Sequence, residues 1–520
     1  MKNKMFKFLS VFSAILLVLV LTIGLAILWP MPKLKLPTKN NTVFIKSINI
    51  IDVKSGDLLR NRDILIKDNV MVAIDTIGIL KAHPTSLIID GTNKYLLPGL
   101  WDMHTHSNQY SEWLHHPLYI ANGVTGVRDM SGQLSKRDSY FVGSKERLIW
   151  NGELNNNFRV TPRYVLQSSF QIDGAFSIPD GFPEYFKLLK SEDVDSLLRF
   201  YKKEKVDFIK VYDQISPESY RKLALQAPNY GIHLAGHKPI FTSLHDAIVL
   251  GQRTFEHGRI FLIECFPNAD SLRTSDNWKK FVSKSRESMV KDYNPEMAKQ
   301  LMLLMKEHNA HWVPTLQTLK FEAFAHESTF LQNPNLKYID YISKKVWWGI
   351  DARNNKKRNL SKEGENSSAA FFNAAKEQIK LASEIGVPIM AGTDVSDSYI
   401  FAGFSIHNEL EDLTISGLSN LKALQSATIV PAKFVGADRN YGTIEIGKIA
   451  DLVILDRNPL DNIAYSKKIH GVIVNGIYYD SNKIDELKEF TQSLSSSFHM
   501  NVKVFYSFIS SPLIRVQWAD

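Results

Sequence analysis

Short apolar runs alternate with helix-like stretches through the middle of this chain, and that alternation constrains the fold most. Eight runs have the length and composition of strands: residues 95–103, 124–129, 159–166, 208–212, 233–236, 254–256, 311–316 and 388–392. Strands that alternate with helices form parallel sheets. Eight such units favour an α/β fold of the closed (β/α)8 type, a TIM barrel, whose functional groups lie at the C-terminal ends of its strands.

A second pattern flanks this region on both sides. Short apolar runs separated by turn residues occur at 43–45 and 64–66 and return at 452–455 and 471–474. They predict a small β-sandwich module built from residues 34–97 and 441–482, with the barrel at 98–440. The stretch 270–373 is long for the units it must build, and it predicts a helical insertion near the barrel mouth. Residues 483–520 form an extension without an assigned role.

The N-terminus predicts a membrane anchor. Three lysines at positions 2, 4 and 7 precede an uncharged apolar run, residues 8–29, which Pro30 and Pro32 close. This run is long enough to cross a bilayer as a transmembrane helix. It ends without a small-x-small cleavage site, so we expect residues 1–33 to stay in the membrane, with the rest extracytoplasmic. Secretion after signal cleavage is the alternative.

Composition excludes several classes of protein. The single cysteine, Cys265, excludes a disulfide within the chain and a zinc site built from several thiolates. The net charge of +8 is spread over scattered lysines and arginines, without a basic helix or stripe. That distribution argues against a nucleic-acid partner.

Metal-compatible residues stand where the predicted strands end. His104 and His106, two residues apart at the end of the first strand, project from the same face and have the spacing of a metal chelate. Alone, such a pair is weak evidence, because chance pairs are common. Lys210 ends the fourth strand, and an inward lysine there is costly unless it is paired or chemically altered.

Three further strands end in similar groups: His237 after the fifth, His257 after the sixth and Asp394 after the eighth. Each has an ordinary alternative, such as a histidine bonded to the backbone or an aspartate that caps a helix. Together, however, all these groups converge on one barrel mouth, and the joint pattern favours a metal site.

The segments around these residues resemble the amidohydrolase superfamily. The opening PGLWDMHTH at 98–106 is similar to its first metal motif, and IKV at 209–211, GH at 236–237, EHG at 256–258 and GTD at 392–394 follow in its order. Residues 122–129 and 407–410 indicate the subgroup of imidazolonepropionases and of Xaa-Pro and Xaa-Arg dipeptidases. Residues 442–453 resemble the family's return into its β-module. The resemblance covers residues 41–479.

The resemblance implies a dinuclear centre, usually zinc. One ion would be held by His104, His106 and Asp394, the other by His237 and His257. Lys210, as an N-carboxylated carbamate formed with CO₂, would bridge them together with a water or hydroxide. Asp394 would act as general base and then general acid in hydrolysis of a C–N amide bond, in dipeptides or small amides.

Other residues are weaker candidates. Tyr212 would hydrogen-bond substrate or oxyanion, or pack at the strand end. Arg128 would hold a substrate carboxylate or form a structural salt bridge. Lys238 and Arg259 follow the histidines of the fifth and sixth strands and suggest an anionic substrate group, although exposed rim charges are a simpler explanation.

Several functions stay open on sequence alone. Cyclic amides, lactones and phosphotriesters are alternative substrates of the same metal centre. A non-catalytic, membrane-anchored binding protein that keeps the metal barrel is an alternative of another class. The expected partners are a small-molecule or dipeptide substrate and the membrane, and the oligomeric state is left open.

Overall fold

The structure, a computed structural model, describes residues 2–130, 132, 137–174, 186–275, 277–360 and 367–517. Its strands are β1 (Thr42–Ile51), β2 (Leu58–Lys67), β3 (Val70–Thr76), β4 (Leu87–Asp90), β5 (Tyr95–Pro98), β6 (Leu100–Thr105), β7 (Val124–Asp129), β8 (Arg163–Tyr164), β9 (Ser168–Ile172), β10 (Phe208–Val211), β11 (His233–Gly236), β12 (Thr254–Glu256), β13 (His311–Val313), β14 (Leu452–Leu455), β15 (Ile469–Val474) and β16 (Ile477–Tyr479).

The α-helices are α1 (Lys2–Leu28), α2 (Ser111–Leu114), α3 (His116–Ala121), α4 (Ser144–Asn155), α5 (Val194–Lys203), α6 (Pro217–Gln226), α7 (Leu244–Val249), α8 (Ala269–Arg273), α9 (Trp278–Lys291), α10 (Pro295–Glu307), α11 (Leu316–Phe324), α12 (Ser328–Leu331), α13 (Trp348–Asn359), α14 (Ser367–Ile385), α15 (Phe404–Ile415), α16 (Asn420–Ser426), α17 (Ile429–Phe434), α18 (Ser481–Ser496), α19 (Phe498–Ser510) and α20 (Pro512–Gln517).

The two ends of the chain share one mixed sheet. Strands β1 to β5 pair with one another, and β5 pairs antiparallel with β14, which continues through β15 to β16. Alternate residues of these strands, among them Ile45, Ile64 and Ile454, form a common apolar core. The N- and C-terminal segments therefore share one sheet and one apolar core, while a β-sandwich module with the bounds 34–97 and 441–482 stays a prediction.

The central region contains the predicted parallel strands. Strands β6 to β8 form one parallel sheet and β9 to β13 another. Isolated parallel bridges pair Ile389 with Trp312 and Val395 with Thr105, so the segment 389–395 lies between β13 and β6. Strands β6, β7, β10, β12 and β13 are buried at every residue, as expected for strands covered on both faces.

Four of the predicted strands differ from the structure. The first, predicted at 95–103, divides into β5, which pairs in the sheet of the two chain ends, and β6. The seventh, predicted at 311–316, ends at Val313, and α11 begins at Leu316. The third, predicted at 159–166, begins only at Arg163 and resumes at Ser168, because Pro162 has no N–H to give to a sheet. The eighth, predicted at 388–392, forms single bridges instead of a strand. The left-handed backbone of Asp394, with a φ of 71°, interrupts its extended conformation.

The terminal helices follow the sequence closely. Helix α1 is long and apolar enough to cross a membrane between Met5 and Leu28, although a signal sequence would meet the same criterion. The C-terminal extension begins within α18 and continues as α19 and α20.

Candidate metal centre

A cavity of about 300 Å³ opens at the C-terminal ends of the parallel strands. Its walls include every residue proposed as a metal ligand, together with Tyr212. The ligand candidates among the lining residues are His104, His106, Lys210, His237, His257 and Asp394. Thr318, Leu319, Glu322 and Trp347, from the stretch predicted as a helical insertion, also line it, so that insertion does lie at the mouth.

The carboxylate of Asp394 joins histidines from opposite sides of the cavity. Its Oδ1 lies 2.9 Å from Nε2 of His106 and 3.3 Å from Nε2 of His104, and its Oδ2 lies 3.6 Å from Nδ1 of His257. His104, His257 and Asp394 each bring a ligand atom within 4.8 Å of the others. Among the described residues, the buried Nε2 of His104 has no hydrogen-bond partner. This donor set fits a divalent cation.

A second pair of imidazoles faces each other across the cavity. Nε2 of His237 lies 2.8 Å from Nε2 of His257. His237 donates its Nδ1–H to Oδ1 of Asp213 at 2.9 Å, because a carboxylate only accepts, so the Nε2 of the neutral ring carries a lone pair. Burial lowers the pKa of both rings, and for His257 the nearby His237 lowers it further. The neutral imidazole is the form of histidine that ligates a metal ion.

Lys210 is almost completely buried, with 3% of its surface exposed. Burial lowers the pKa of its amine to about 8, against the opposing charges of Asp394 and Glu256. When the pH is near this pKa, a substantial fraction of the amine is neutral and nucleophilic. A neutral amine can add CO₂. The ring of Tyr212 lies 6.0 Å from the Lys210 Nζ and stacks on His237 at a centroid distance of 4.2 Å.

A buried ion pair supports the first histidine. Oε2 of Glu256 accepts from Nδ1 of His104 at 2.8 Å, and Oε1 accepts from an NH2 of Arg128 at 2.8 Å. Burial alone would raise the pKa of Glu256, but Arg128 and His104 hold that pKa at about 2. The guanidinium of Arg128 also donates to the carbonyl of Met103 at 2.7 Å. Arg128 therefore forms a buried salt bridge, and among the described residues it is not part of the cavity wall.

The backbone at the site is strained where the ligands leave the strands. His257, Thr315 and Asp394 all have positive φ, of 72°, 42° and 71°. Such conformations cost free energy in non-glycine residues and recur at functional sites. Gly236, just before His237, has a φ of 119°, and a Cβ there would lie 2.4 Å from the carbonyl oxygen of Val211. Only glycine fits that position without a shift of the neighbouring strand.

Sequence reasoning missed the groups that orient the ligands. Asp213 bonds His237, Thr315 lies 2.8 Å from Nδ1 of His257, and Asp102 accepts from Thr393 at 2.6 Å beneath Asp394. Asp213 was detectable, because it directly follows the fourth strand. Thr315 lies between the seventh strand, β13, and α11, and nothing in its sequence context marks a histidine partner.

The two cationic residues expected near the mouth, Arg259 and Lys238, lie in different surroundings. Arg259 lines the cavity, and its NH2 lies 4.0 Å from Oδ1 of Asp213. Lys238 is buried against Glu264 at 3.0 Å and, among the described residues, does not belong to the cavity wall. Cys265 is buried, and burial raises the pKa of its thiol.

Part of this chain matches a known protein family. Residues 277–477 match the model of the amidohydrolase family. The resemblance to amidohydrolases is confirmed. A search of curated protein sequences returned no significant match.

Solved amidohydrolase structures share the fold. A bottromycin amidohydrolase superposes with a TM-score of 0.64 at 21% identity, covering 88% of this chain and 91% of its own. A Xaa-Pro dipeptidase crystallised with methionine in its active site gives a TM-score of 0.60 at 20% identity, covering 85% and 100%. A putative prolidase from Bifidobacterium longum gives 0.57 at 20% identity, covering 87% and 100%. At these identities the likeness establishes an amidohydrolase-type α/β fold.

Proposed function

We propose that this protein is a metal-dependent hydrolase of C–N amide bonds in dipeptides or small amides. The observation that carries the proposal is the position of Asp394, whose carboxylate contacts His104, His106 and His257 inside the cavity. A carboxylate held among neutral imidazoles has the donors for a divalent cation and an acceptor for a proton. The amidohydrolase-type fold and the partial family match support the reaction class.

The architecture proposed around this site is a closed (β/α)8 barrel over residues 98–440. The bridges of the segment 389–395 to β13 and β6 support closure. The composite β-module of residues 34–97 and 441–482 packs beside it, and residues 483–520 follow. Helix α1, within residues 1–33, anchors the chain with its catalytic part outside the cytoplasm.

Two metal positions follow from the donor set. His104, His106 and Asp394 would hold one ion, His237 and His257 the other, and a carboxylated Lys210 would bridge them. Nitrogen and oxygen donors of this kind suit zinc. When bound, two such cations polarise a carbonyl and lower the pKa of a water between them.

The remaining steps belong to residues of this chain. Asp394 takes the proton from the attacking water and returns it to the leaving nitrogen. Tyr212 lies in the cavity wall, and burial raises the pKa of its phenol, which keeps the hydroxyl protonated as a donor to the substrate carbonyl. Arg259 offers a cation to a carboxylate at the far end of a dipeptide.

Metal content tests the proposal. The full chain, purified in detergent without chelators and with bicarbonate, should hold about two ions, as a bridged pair requires. Lys210→Ala should lose most of this metal, whereas Lys238→Ala, which removes a buried lysine outside the cavity wall, should not. A content of one ion or none, unchanged in Lys210→Ala, would contradict the bridged centre. A panel of Xaa-Pro and Xaa-Arg dipeptides then tests turnover.

A further inference from the structure

Helix α19 has two faces of different character. Met500, Val504 and Phe508 are buried against the rest of the protein. On the opposite side Phe498, Phe505, Tyr506 and Ile509 are about half exposed, and Phe498, Phe505 and Ile509 recur at helical spacing along one stripe. The helix contains no Asp or Glu, and its basic groups are His499 and Lys503.

This helix is docked on the end of α1. Lys503 donates its Nζ to the carbonyl of Ile27 at 2.5 Å, and Nε2 of His499 lies 3.0 Å from the carbonyl of Trp29. A lysine there satisfies carbonyls that the end of a helix leaves free. The first turns of α19 therefore contact the end of the apolar segment Met5–Leu28, none of which is buried in the described structure.

The buried face of α19 supports the cavity mouth. The ring of Phe508 lies 6.0 Å from that of Tyr140 and 6.1 Å from that of Trp347, and both rings line the cavity. Ser139 donates its hydroxyl to the carbonyl of Ser507 at 2.9 Å, and the hydroxyl of Ser511 donates to Asp138 at 3.0 Å. One wall of the mouth is thus fixed to this helix.

We propose that the exposed stripe of α19 rests in the interfacial layer of a lipid bilayer and holds the cavity mouth at the membrane surface. The proposal rests on the anchoring role proposed for α1. An apolar helix of this length without buried residues needs a lipid environment, and α19, which contacts the end of that helix, adds an exposed apolar stripe of its own. Aromatic side chains with basic neighbours and no acidic ones suit the headgroup boundary.

Probe depth in vesicles tests this contact on the full chain. Phe505→Cys, labelled with an environment-sensitive fluorophore, is reconstituted in phosphatidylcholine–phosphatidylglycerol vesicles that carry quenchers at defined depths. The matched control is Ile415→Cys, an exposed isoleucine on α15, and Ile509→Cys is a second site on the stripe. The buried Cys265 gives a background that the unsubstituted chain measures.

We expect both stripe positions to be quenched about threefold more than position 415, with the deepest effect near the headgroup boundary. Equal quenching at 505 and 415 in chains that float with vesicles would overturn the α19 contact and leave the α1 anchor. If the fluorophore becomes more shielded as the protein density in the vesicles rises, and the lipid quenchers have no effect on it, the stripe contacts a second copy of this chain instead. Chains that do not float would overturn both. Failure of the hydrolase proposal would leave these readouts unchanged.

Discussion

Oε2 of Glu256 lies 2.8 Å from Nδ1 of His104, so a carboxylate on the sixth strand orients an imidazole on the first. The carboxylate accepts a hydrogen bond from Nδ1–H, so the lone pair of this ring is on Nε2, on the side where Asp394 would share a cation with it. The other oxygen of Glu256 is paired with Arg128. One buried carboxylate therefore fixes the tautomer of a ligand and neutralises a buried guanidinium.

Replacement of this carboxylate should weaken metal binding. In Glu256→Gln the neutral amide no longer requires the Nδ1 tautomer of His104, and we expect metal affinity to fall by about 10–100-fold. Arg128 also loses its ion-pair partner, so the free energy of unfolding should fall by roughly 3 kcal/mol. Metal titration and denaturant unfolding measure the two effects.

Glu264→Gln is the matched control for that variant. Glu264 is equally buried and pairs with Lys238 and Arg273 at 3.0 Å, neither of which is a proposed metal ligand. We expect comparable destabilisation with unchanged metal affinity. Equal metal affinity in both variants would show that Glu256 does not orient His104.

The sequence was sufficient to predict which residues meet at the cavity. His104, Lys210, His237 and His257 stand at the ends of parallel strands, and such ends converge by topology. Their positions at the ends of the predicted strands are therefore enough to predict that these side chains meet. The period of two in a strand likewise placed His104 and His106 together.

The partners of these groups were not predictable in the same way. Whether Arg128 meets a substrate or Glu256 depends on which way a long side chain turns inside a packed core. That choice is set by contacts with other strands, and the chain around Arg128 does not encode it locally. The third strand was misplaced because Pro162 was counted as a strand residue. The sequence of α19 does not indicate which of its faces is exposed, because that depends on the residues that pack against the other face.

The stability of the metal-free protein should depend on Lys210 in alkaline solution. Its folded pKa is about 8, whereas the amine titrates near 10.5 when unfolded. Between these values the unfolded chain binds more protons, so stability rises with pH across this window. Wild type should gain up to about 3 kcal/mol over Lys210→Met between pH 8 and 10.5. Denaturant unfolding after chelation measures the difference, and parallel curves for the two proteins would contradict the lowered pKa.

Arg259 should decide how strongly substrate carboxylates bind. In Arg259→Met we expect KM for dipeptides with a free C-terminal carboxylate to rise about 10–100-fold, because a charge-assisted hydrogen bond is lost. KM for the matching carboxamides should change little. Arg273→Met, which removes an arginine paired with Glu264, is the control. A similar rise for acids and amides would assign Arg259 to the shape of the mouth instead.

Asp394 should carry the proton in the chemical step. Asp394→Asn keeps the size of the side chain but removes the acceptor that faces His104 and His106. We expect kcat to fall about 10³-fold or more on any dipeptide that the wild type cleaves, when compared at equal metal content. Asp397→Asn changes another carboxylate of the same cavity and should keep kcat within about tenfold. Because Asp394 lies against three of the ligand histidines, equal losses in the two variants would point to a general charge effect. Full activity in Asp394→Asn would exclude it as the base.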